Sequence, residues 1–499
     1  VGNRMSLLNR MLLPLAPRLA CRREAWRMLA RSAYTAEDGS PRSAGWERTN
    51  RTGEATNQAG RDVIRARARD LERNSDVMEA ILGAMERNVV GTGFVLQAKT
   101  EDESLNERIE TNWRDWCSLH SCEITERWTL NELIALCVRR RMVDGGVLLL
   151  LAVQDGRLRL QLLEVDELDT SITVCGKNRV YGGVEVDEYR RPVAYHIKVY
   201  DIWGAWLRTE RYPAEGVIDL PYLTRPSQVR EISPAAATLP RVDDLNELID
   251  AAIEKERVLA HLSVAVEKEQ GTLTGSPFYG RGLPGAEPDA SKSEQTATEL
   301  LQQGSITYLK PGEKVATISQ AGTSSVVDQT LRTTQRLAGS GLGLSYEAVA
   351  RDMSQVNYSS ARQGLLEDQR TYRMQQQYII DHLLDVIYPL WLDLEALSGR
   401  LTLPGYFDAP ERYRAHVWVT AGWEWIDPQK EANANKIALE TNQTTLQSIC
   451  AGKGRDWREV LQQRAREEQL AEELGLTRAE ITQTILYEDE EGEENESKP

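Results

Sequence analysis

From Gly339 to Arg370 the chain reads GSGLGLSYEAVARDMSQVNYSSARQGLLEDQR. Upstream, Ser325 with Asp328 three residues on marks the capped start of a helix. Downstream, Tyr358 opens a helical pattern that runs to about Leu397, kinked or interrupted at Pro389. The quoted stretch is therefore a break between two helices. Gly339, Gly341 and Gly343 stand at alternate positions, where a missing side chain removes bulk and permits backbone angles that other residues resist. Such a break predicts a loop that bends, moves or closely approaches a partner.

Before this stretch, Ser233-Pro234 supplies an N-cap with proline at the first helical position. The pattern predicts one helix to about Glu269, on the order of 50 Å long. On a helical wheel Asp243, Glu247, Asp250 and Glu254 share one side, while Leu245, Leu248, Ile249, Ala252 and Leu259 take the other. One face packs and the other shows a row of carboxylates, either solvated or functional. Residues 271–303 are rich in Gly, Ser, Pro and Thr and read as loop. SITYLKPGEKVATIS then reads as strand around a Pro311-Gly312 turn. Beyond the aromatic stretch VWVTAGWEWIDP, residues 428–485 are helical and charged.

Toward the N-terminus, residues 1–45 read as a flexible, Arg-rich arm. A helix from about Gln58 to Arg73 carries Arg61, Arg65, Arg69 and Arg73 four apart, a slowly drifting basic stripe. Three readings stand: a solvated face, a face paired to a neighbouring subunit, or a phosphate contact. Asp76 with Glu79 reads as the capped start of a second helix ending at Gly91, and further helices lie around Trp113/Trp116 and Leu130–Arg141. Val147–Val153 is a continuous apolar run, Asp155-Gly156 a hairpin turn, and RLRLQLLEV an alternating return strand. A second hairpin is predicted to pair RVYGGVEVD with RPVAYHIKVY. The fold class is α+β, with an antiparallel sheet.

At 499 residues the chain exceeds one ordinary core, so several regions are expected. Its formal charge of −16 is uneven, with a basic beginning and an acidic end at 486–499 that is expected to stay disordered. No apolar run is long enough to span a membrane. Cys117, His120 and Cys122 lie close together, but no second cluster at zinc spacing accompanies them, so no metal is assigned. No phosphate loop, nucleophile elbow, HExxH or dinucleotide fingerprint occurs, and the five histidines fall in separate segments. An enzyme is not expected, and neither catalytic residues nor a cofactor are assigned.

The segment LGLSYEAVARDMSQVNYSSARQGLLEDQR (342–370) resembles the hallmark of lambda-type tailed-phage portal proteins. RARARDLERNSDVMEAILGAMERNVVGTG (65–93), MVDGGVLLLL (142–151), GGVEVDEYRRPVAYHI (182–197), RPSQVREISPAAATLPRVDDL (225–245), LKPGEKV (309–315) and WIDPQKEANA (425–434) follow in the family's order. The central loop at 271–303 and the Gly-rich GSGLG depart from it.

The resemblance implies a ring of about twelve subunits at one capsid vertex, a channel for double-stranded DNA during packaging and ejection. Its partners would be the terminase large subunit, then a head–tail connector, with major capsid and scaffold proteins around it and no membrane. It further implies a wing (46–233 and 359–424), a stem helix (234–268), a clip (269–324), a second stem helix (325–341), a tunnel loop (342–358) and a crown (425–485). Arg351, Asp352, Met353, Ser354, Gln355, Val356 and Asn357 would lie nearest the DNA, and the acidic row of 243–254 would line the channel. The location would be the virion, after assembly in the host bacterial cytoplasm. A neck or adaptor ring without DNA in its lumen, or a DNA-processing hydrolase, are the competing readings.

Overall fold

The structure is a computed structural model and describes residues 50–261, 265–268, 313–316, 323–354, 358–423 and 428–473, with Ala16, Arg18 and Gly475. The basic arm, most of 262–322, Gln355–Asn357 and the acidic tail, all assigned above, lie outside the described residues. The chain divides into two compact units, 1–56 and 57–499, and the elements named here belong to the second.

Helices α1 (Arg61–Asn74) and α2 (Asp76–Val89) meet at Ser75. Ser75, not Asp76, is the N-cap: its hydroxyl accepts from the Met78 amide at 3.3 Å, leaving Asp76 and Glu79 in the first turn, where the helix dipole favours them. Strand β1 (Val95–Ala98) leads to α3 (Glu103–Cys117), capped by Asp102, and then to α4 (Leu130–Val143), opened by a Thr129/Glu132 capping box.

Strands β2 (Leu148–Gln154) and β3 (Arg157–Leu163) pair antiparallel from Leu148↔Leu163 to Gln154↔Arg157. Asp155 (φ 52°) and Gly156 (φ 69°) make the expected two-residue turn. The next strands are β4 (Val174–Cys175), β5 (Asn178–Tyr181), β6 (Val184–Val186), β7 (Pro192–Tyr200) and β8 (Trp206–Pro213), which form a five-stranded sheet in chain order. The segment RVYGGVEVD, expected from the sequence to pair as one strand with RPVAYHIKVY, does not do so. RVYGGVEVD is itself a hairpin, because Gly182 (φ 53°) and Gly183 (φ 92°) turn the chain between β5 and β6, so only Val184–Val186 pairs with β7. Strand β9 (Val217–Asp219) joins the free side of β2, giving a three-stranded sheet β3-β2-β9.

The predicted long helix after Ser233 is shorter and starts in two steps. Ser233 caps a 3-10 turn, Pro234–Ala237, and α5 runs from Leu239 to His261. Pro240 explains the step. Lacking an N–H, it is tolerated only in the first turn of an α-helix, so the α-helix cannot begin as early as Pro234. Strand β10 (Ala265–Lys268) follows and pairs antiparallel with β11 (Glu313–Ala316). Helix α6 (Thr323–Gly341) packs alongside α5. After it come the short α7 (Tyr346–Ala350), α8 (Tyr358–Ile379), a π turn at Ile380–Leu384 and α9 (Asp385–Leu397). Pro389 lies inside α9 rather than ending it. The irregularity sits upstream, in the π turn at Ile380–Leu384.

The core gathers α2, α3, α4, α8 and α9. Trp113 is its aromatic hub, with Trp391 edge-on at 5.0 Å and Trp116 at 4.9 Å between ring centroids. After α10 (Glu411–Arg414), strand β12 (His416–Val419) pairs with β1 in the register Val95↔Val419, tying segments more than three hundred residues apart. Helices α11 (Pro428–Glu440), α12 (Leu446–Gly452) and α13 (Trp457–Glu473) complete the described chain.

Candidate functional site

Helix α5 has the two faces that its sequence predicts. Val242 and Leu245 are buried and Ile249 packs against the core, while Asp243, Glu247, Asp250 and Glu254 are all exposed. Among the described residues the row meets one cation, Arg257, at 3.7 Å from Glu254. Four carboxylates within about three turns repel one another, and water bears that cost cheaply only while the face stays wet.

The glycine-marked break behaves differently from an open hinge. Gly339 and Gly341 remain inside α6, and Gly343 alone of the three takes a positive φ, 77°. A Cβ at Gly341 would stand 2.5 Å from Thr238 Oγ1. At Gly339 it would stand 3.0 Å from the Leu344 carbonyl oxygen, and at Gly343 3.0 Å from Thr371 Oγ1. The glycines make room for the Thr238 and Thr371 hydroxyls and for the Leu344 carbonyl. Around them Leu342, Leu344 and Val349 are buried. Ser345 caps α7, and its amide and hydroxyl donate to the Asp368 carboxylate at 2.7 and 2.5 Å. Burial pushes the Asp368 carboxyl up, against the pull of those bonds. The first half of the predicted tunnel loop is thus a packed joint.

The exposed part begins at Arg351, which ends α7 in the left-handed region at φ 52°. Asp352 accepts from the Tyr346 hydroxyl at 3.1 Å and from the Ser354 amide at 3.0 Å, and Arg332 of α6 approaches to 4.0 Å. Those hydrogen bonds hold the Asp352 carboxyl below the usual range. Met353 is 60% exposed and Ser354 is exposed, while Gln355, Val356 and Asn357 lie outside the described residues. Beneath Arg351 and Met353 is a cavity of about 240 Å³, walled by Arg87 of α2 and by Leu365 and Tyr372 of α8.

The arginine stripe of α1 is not a solvated face. Arg61 and Arg65 are buried at 5% exposure. Arg65 pairs with Glu231 at 2.7 Å and Asp166 at 2.6 Å, and Arg61 donates to the Glu231 carbonyl at 3.0 Å. Arg69 reaches Asp144 at 2.7 Å, Asp166 at 2.5 Å and Glu164 at 3.2 Å. Of the four, Arg73 alone remains on the surface, 3.5 Å from Asp70. Burial alone would push the Glu231 carboxyl up, but the guanidiniums of Arg230, Arg65 and Arg61 outweigh it and hold it at about 2. Groups of this same chain therefore hold three of the arginines expected to meet a neighbour or a phosphate: carboxylates hold Arg65 and Arg69, and a backbone carbonyl accepts from Arg61. The sequence offered no signal for those partners, because Asp144, Asp166 and Glu231 lie far from α1 along the chain and share no spacing with it.

A further donor cluster joins Cys175, Glu185 and His196 across the five-stranded sheet. Its carboxylate is already held by a cation: Glu185 accepts from Arg211 Nε at 2.8 Å and from Asn178 Nδ2 at 2.7 Å, and Arg211 first among its partners keeps that carboxyl at about 2. Cys117 and Cys122, considered above as metal ligands, carry thiols raised by burial, and His120 beside them is exposed.

The model of the lambda family of phage portal proteins matches residues 39–376. Over 457 residues the chain is 27% identical to a probable portal protein of Halomonas phage phiHAP-1, covering 86% of this chain and 85% of that one. It is 20% identical over 455 residues to portal protein B of Escherichia phage lambda, covering 82% and 84% of the two. Among solved structures it is similar to the neck of a native GTA particle, at TM-score 0.42 and 13% identity, covering 79% of this chain and 97% of that one. It is also similar to an HK97 family phage portal protein from Corynebacterium diphtheriae, at TM-score 0.28 and 10% identity, covering 60% and 84%. A family model spanning two thirds of the chain settles the class: the chain belongs to the lambda family of phage portal proteins, structural and non-enzymatic components of the phage particle.

Proposed function

We propose that the chain is one subunit of a ring of twelve at a single capsid vertex. Double-stranded DNA would pass through the ring during packaging and ejection, first under the terminase large subunit and then against a head–tail connector. Major capsid and scaffold proteins would surround a ring assembled in the host cytoplasm. Residues 46–233 and 359–424 form its wing, 234–268 and 325–341 its stem helices, 269–324 its clip, 342–358 its tunnel loop and 425–485 its crown.

The observation that carries this reading is the exposed row Asp243, Glu247, Asp250 and Glu254 on α5, set beside the internal pairing of the α1 arginines. A wall that must let DNA slide is better served by like charge than by cations, which would neutralise phosphates and hold the duplex through counterion release. The row therefore faces the lumen. Arg351, Asp352, Met353, Ser354, Gln355, Val356 and Asn357 reach the DNA and make weak, sequence-independent contacts.

Electron microscopy of the purified protein tests the ring: twelve-fold particles with a central hole are expected, and monomers would refute it. Changing the four carboxylates to Asn and Gln should leave rings intact and alter packaging or DNA retention. Loss of rings, or intact rings with unchanged packaging and DNA retention, would overturn the lumen assignment. Removing 351–356 should likewise spare the ring and impair packaging, whereas loss of assembly would make the loop a subunit contact.

A further inference from the structure

Among the described residues, five exposed large apolar side chains fall together at and beside the turn between β7 and β8. Ile202 is 91% exposed and Trp203 85%, and Tyr200, Trp206 and Leu207 beside them are exposed as well. Scattered exposed apolar residues are ordinary, but two tryptophans and an isoleucine on one protruding turn are not. The turn is also pre-shaped. The Asp201 carboxylate accepts from the Trp203 amide at 2.9 Å and the Ala205 amide at 2.8 Å, the Asp201 amide donates to the Ala205 carbonyl at 2.9 Å, and Gly204 supplies φ 78°. A knob held this way loses little freedom when it docks.

The same sheet carries a groove suited to such a knob. It is an open concavity of about 550 Å³ with Tyr181 and Val186 among its apolar lining and Lys177, Arg179 and Arg190 among its charged residues. Asp187, also in the groove, is spent internally on the Tyr189 and Arg191 amides and the Arg191 guanidinium. Cations beside an apolar surface match the face of an indole, and the attraction grows as water leaves.

The strand register puts knob and groove at opposite ends of the sheet. The knob follows the last residue of β7, whereas the groove includes the turn that precedes its first. Nine residues of strand separate them by about 30 Å. One copy cannot fill its own groove. Two different patches at opposite ends of one element make a head-to-tail contact, the kind that closes into rings.

We propose that the Ile202–Trp206 knob of each subunit seats in the Lys177–Arg190 groove of the next copy of this chain, a subunit contact of the wing. This inference rests on the ring reading above. The test compares the full-length protein with Trp203→Ala combined with Trp206→Ala, and separately with Arg179→Glu combined with Arg190→Glu. Each pair should leave the circular-dichroism melt unchanged and raise the protein concentration needed for assembly by about tenfold or more. A third variant, Trp203→Cys with Arg190→Cys, cannot bridge within one chain across such a distance. Oxidised, it should give a ladder of linked copies on a denaturing gel, while each cysteine alone gives none. Rings unchanged in the alanine pair, or no ladder from assembled double-cysteine protein, would overturn the contact and leave the ring reading standing. Absence of rings in the unaltered protein would instead defeat the ring reading itself.

Discussion

Helices α1 and α5 each carry four like charges in a row, and the fold treats them in opposite ways. On α1, Arg61 and Arg65 are buried and Arg69 is held by three carboxylates. On α5, Asp243, Glu247, Asp250 and Glu254 all face solvent, with one cation at the margin. The two helices are neighbours, joined where the Ser75 hydroxyl donates to Asn246 at 3.1 Å. A like-charged stripe is therefore not a category with one fate. What separates the two is whether chain from elsewhere brings opposite charge, as the segments around Asp144, Asp166 and Glu231 do for α1. The arginines serve as internal fastening, and the carboxylates remain available to whatever passes.

Breaking the fastening should have the largest effect. Glu231→Gln leaves Arg65 and Arg230 buried without their shared carboxylate, and should cost about 3–5 kcal/mol in chemical denaturation. The pH dependence gives a second handle. The Glu231 carboxyl is held at about 2 in the folded chain, against an ordinary 4.5. Its contribution is present in full above pH 4.5 and is lost as pH falls toward 2, so the variant should show a shallower acid limb than the parent. Equal acid slopes would mean that Glu231 carries no such load.

The next effect concerns the glycines at the end of α6. Gly341→Ala meets Thr238 Oγ1 at 2.5 Å, and Gly343→Ala must hold φ 77°. Each should cost about 1–3 kcal/mol. A hinge that needed only freedom would tolerate the first with little loss, so a neutral Gly341→Ala would restore the mobile reading of this segment.

How much could be read beforehand follows the range of each interaction. The α5 faces, the β2–β3 turn and the helix beginning at Leu130 depend on residues within a few positions of one another, and the sequence shows them directly. Glycine spacing marked the 339–343 break, but its purpose depended on Thr238 and Thr371, which no local pattern connects to it. The α1 stripe was misread as surface for the same reason, and the β1–β12 pairing had no signal across its long separation. Long-range partners had to come from the fold.

The smallest effect belongs to the acidic row and is the most discriminating. Neutralising Asp243, Glu247, Asp250 and Glu254 one at a time should change subunit stability by less than about 0.5 kcal/mol each, because exposed carboxylates lose little when they lose charge, and the one pair in the row, Glu254 with Arg257, is itself exposed. Removing mutual repulsion should even stabilise by a few tenths at low salt, and the gain should fade as ionic strength rises. Denaturation of unassembled protein at two salt concentrations reads both. A loss above about 1 kcal/mol at any of the four would mean that the residue is paired as Arg65 is, and would count against the proposal that it lines a channel. The outcome separates a row kept clear for DNA from one spent on holding the subunit together.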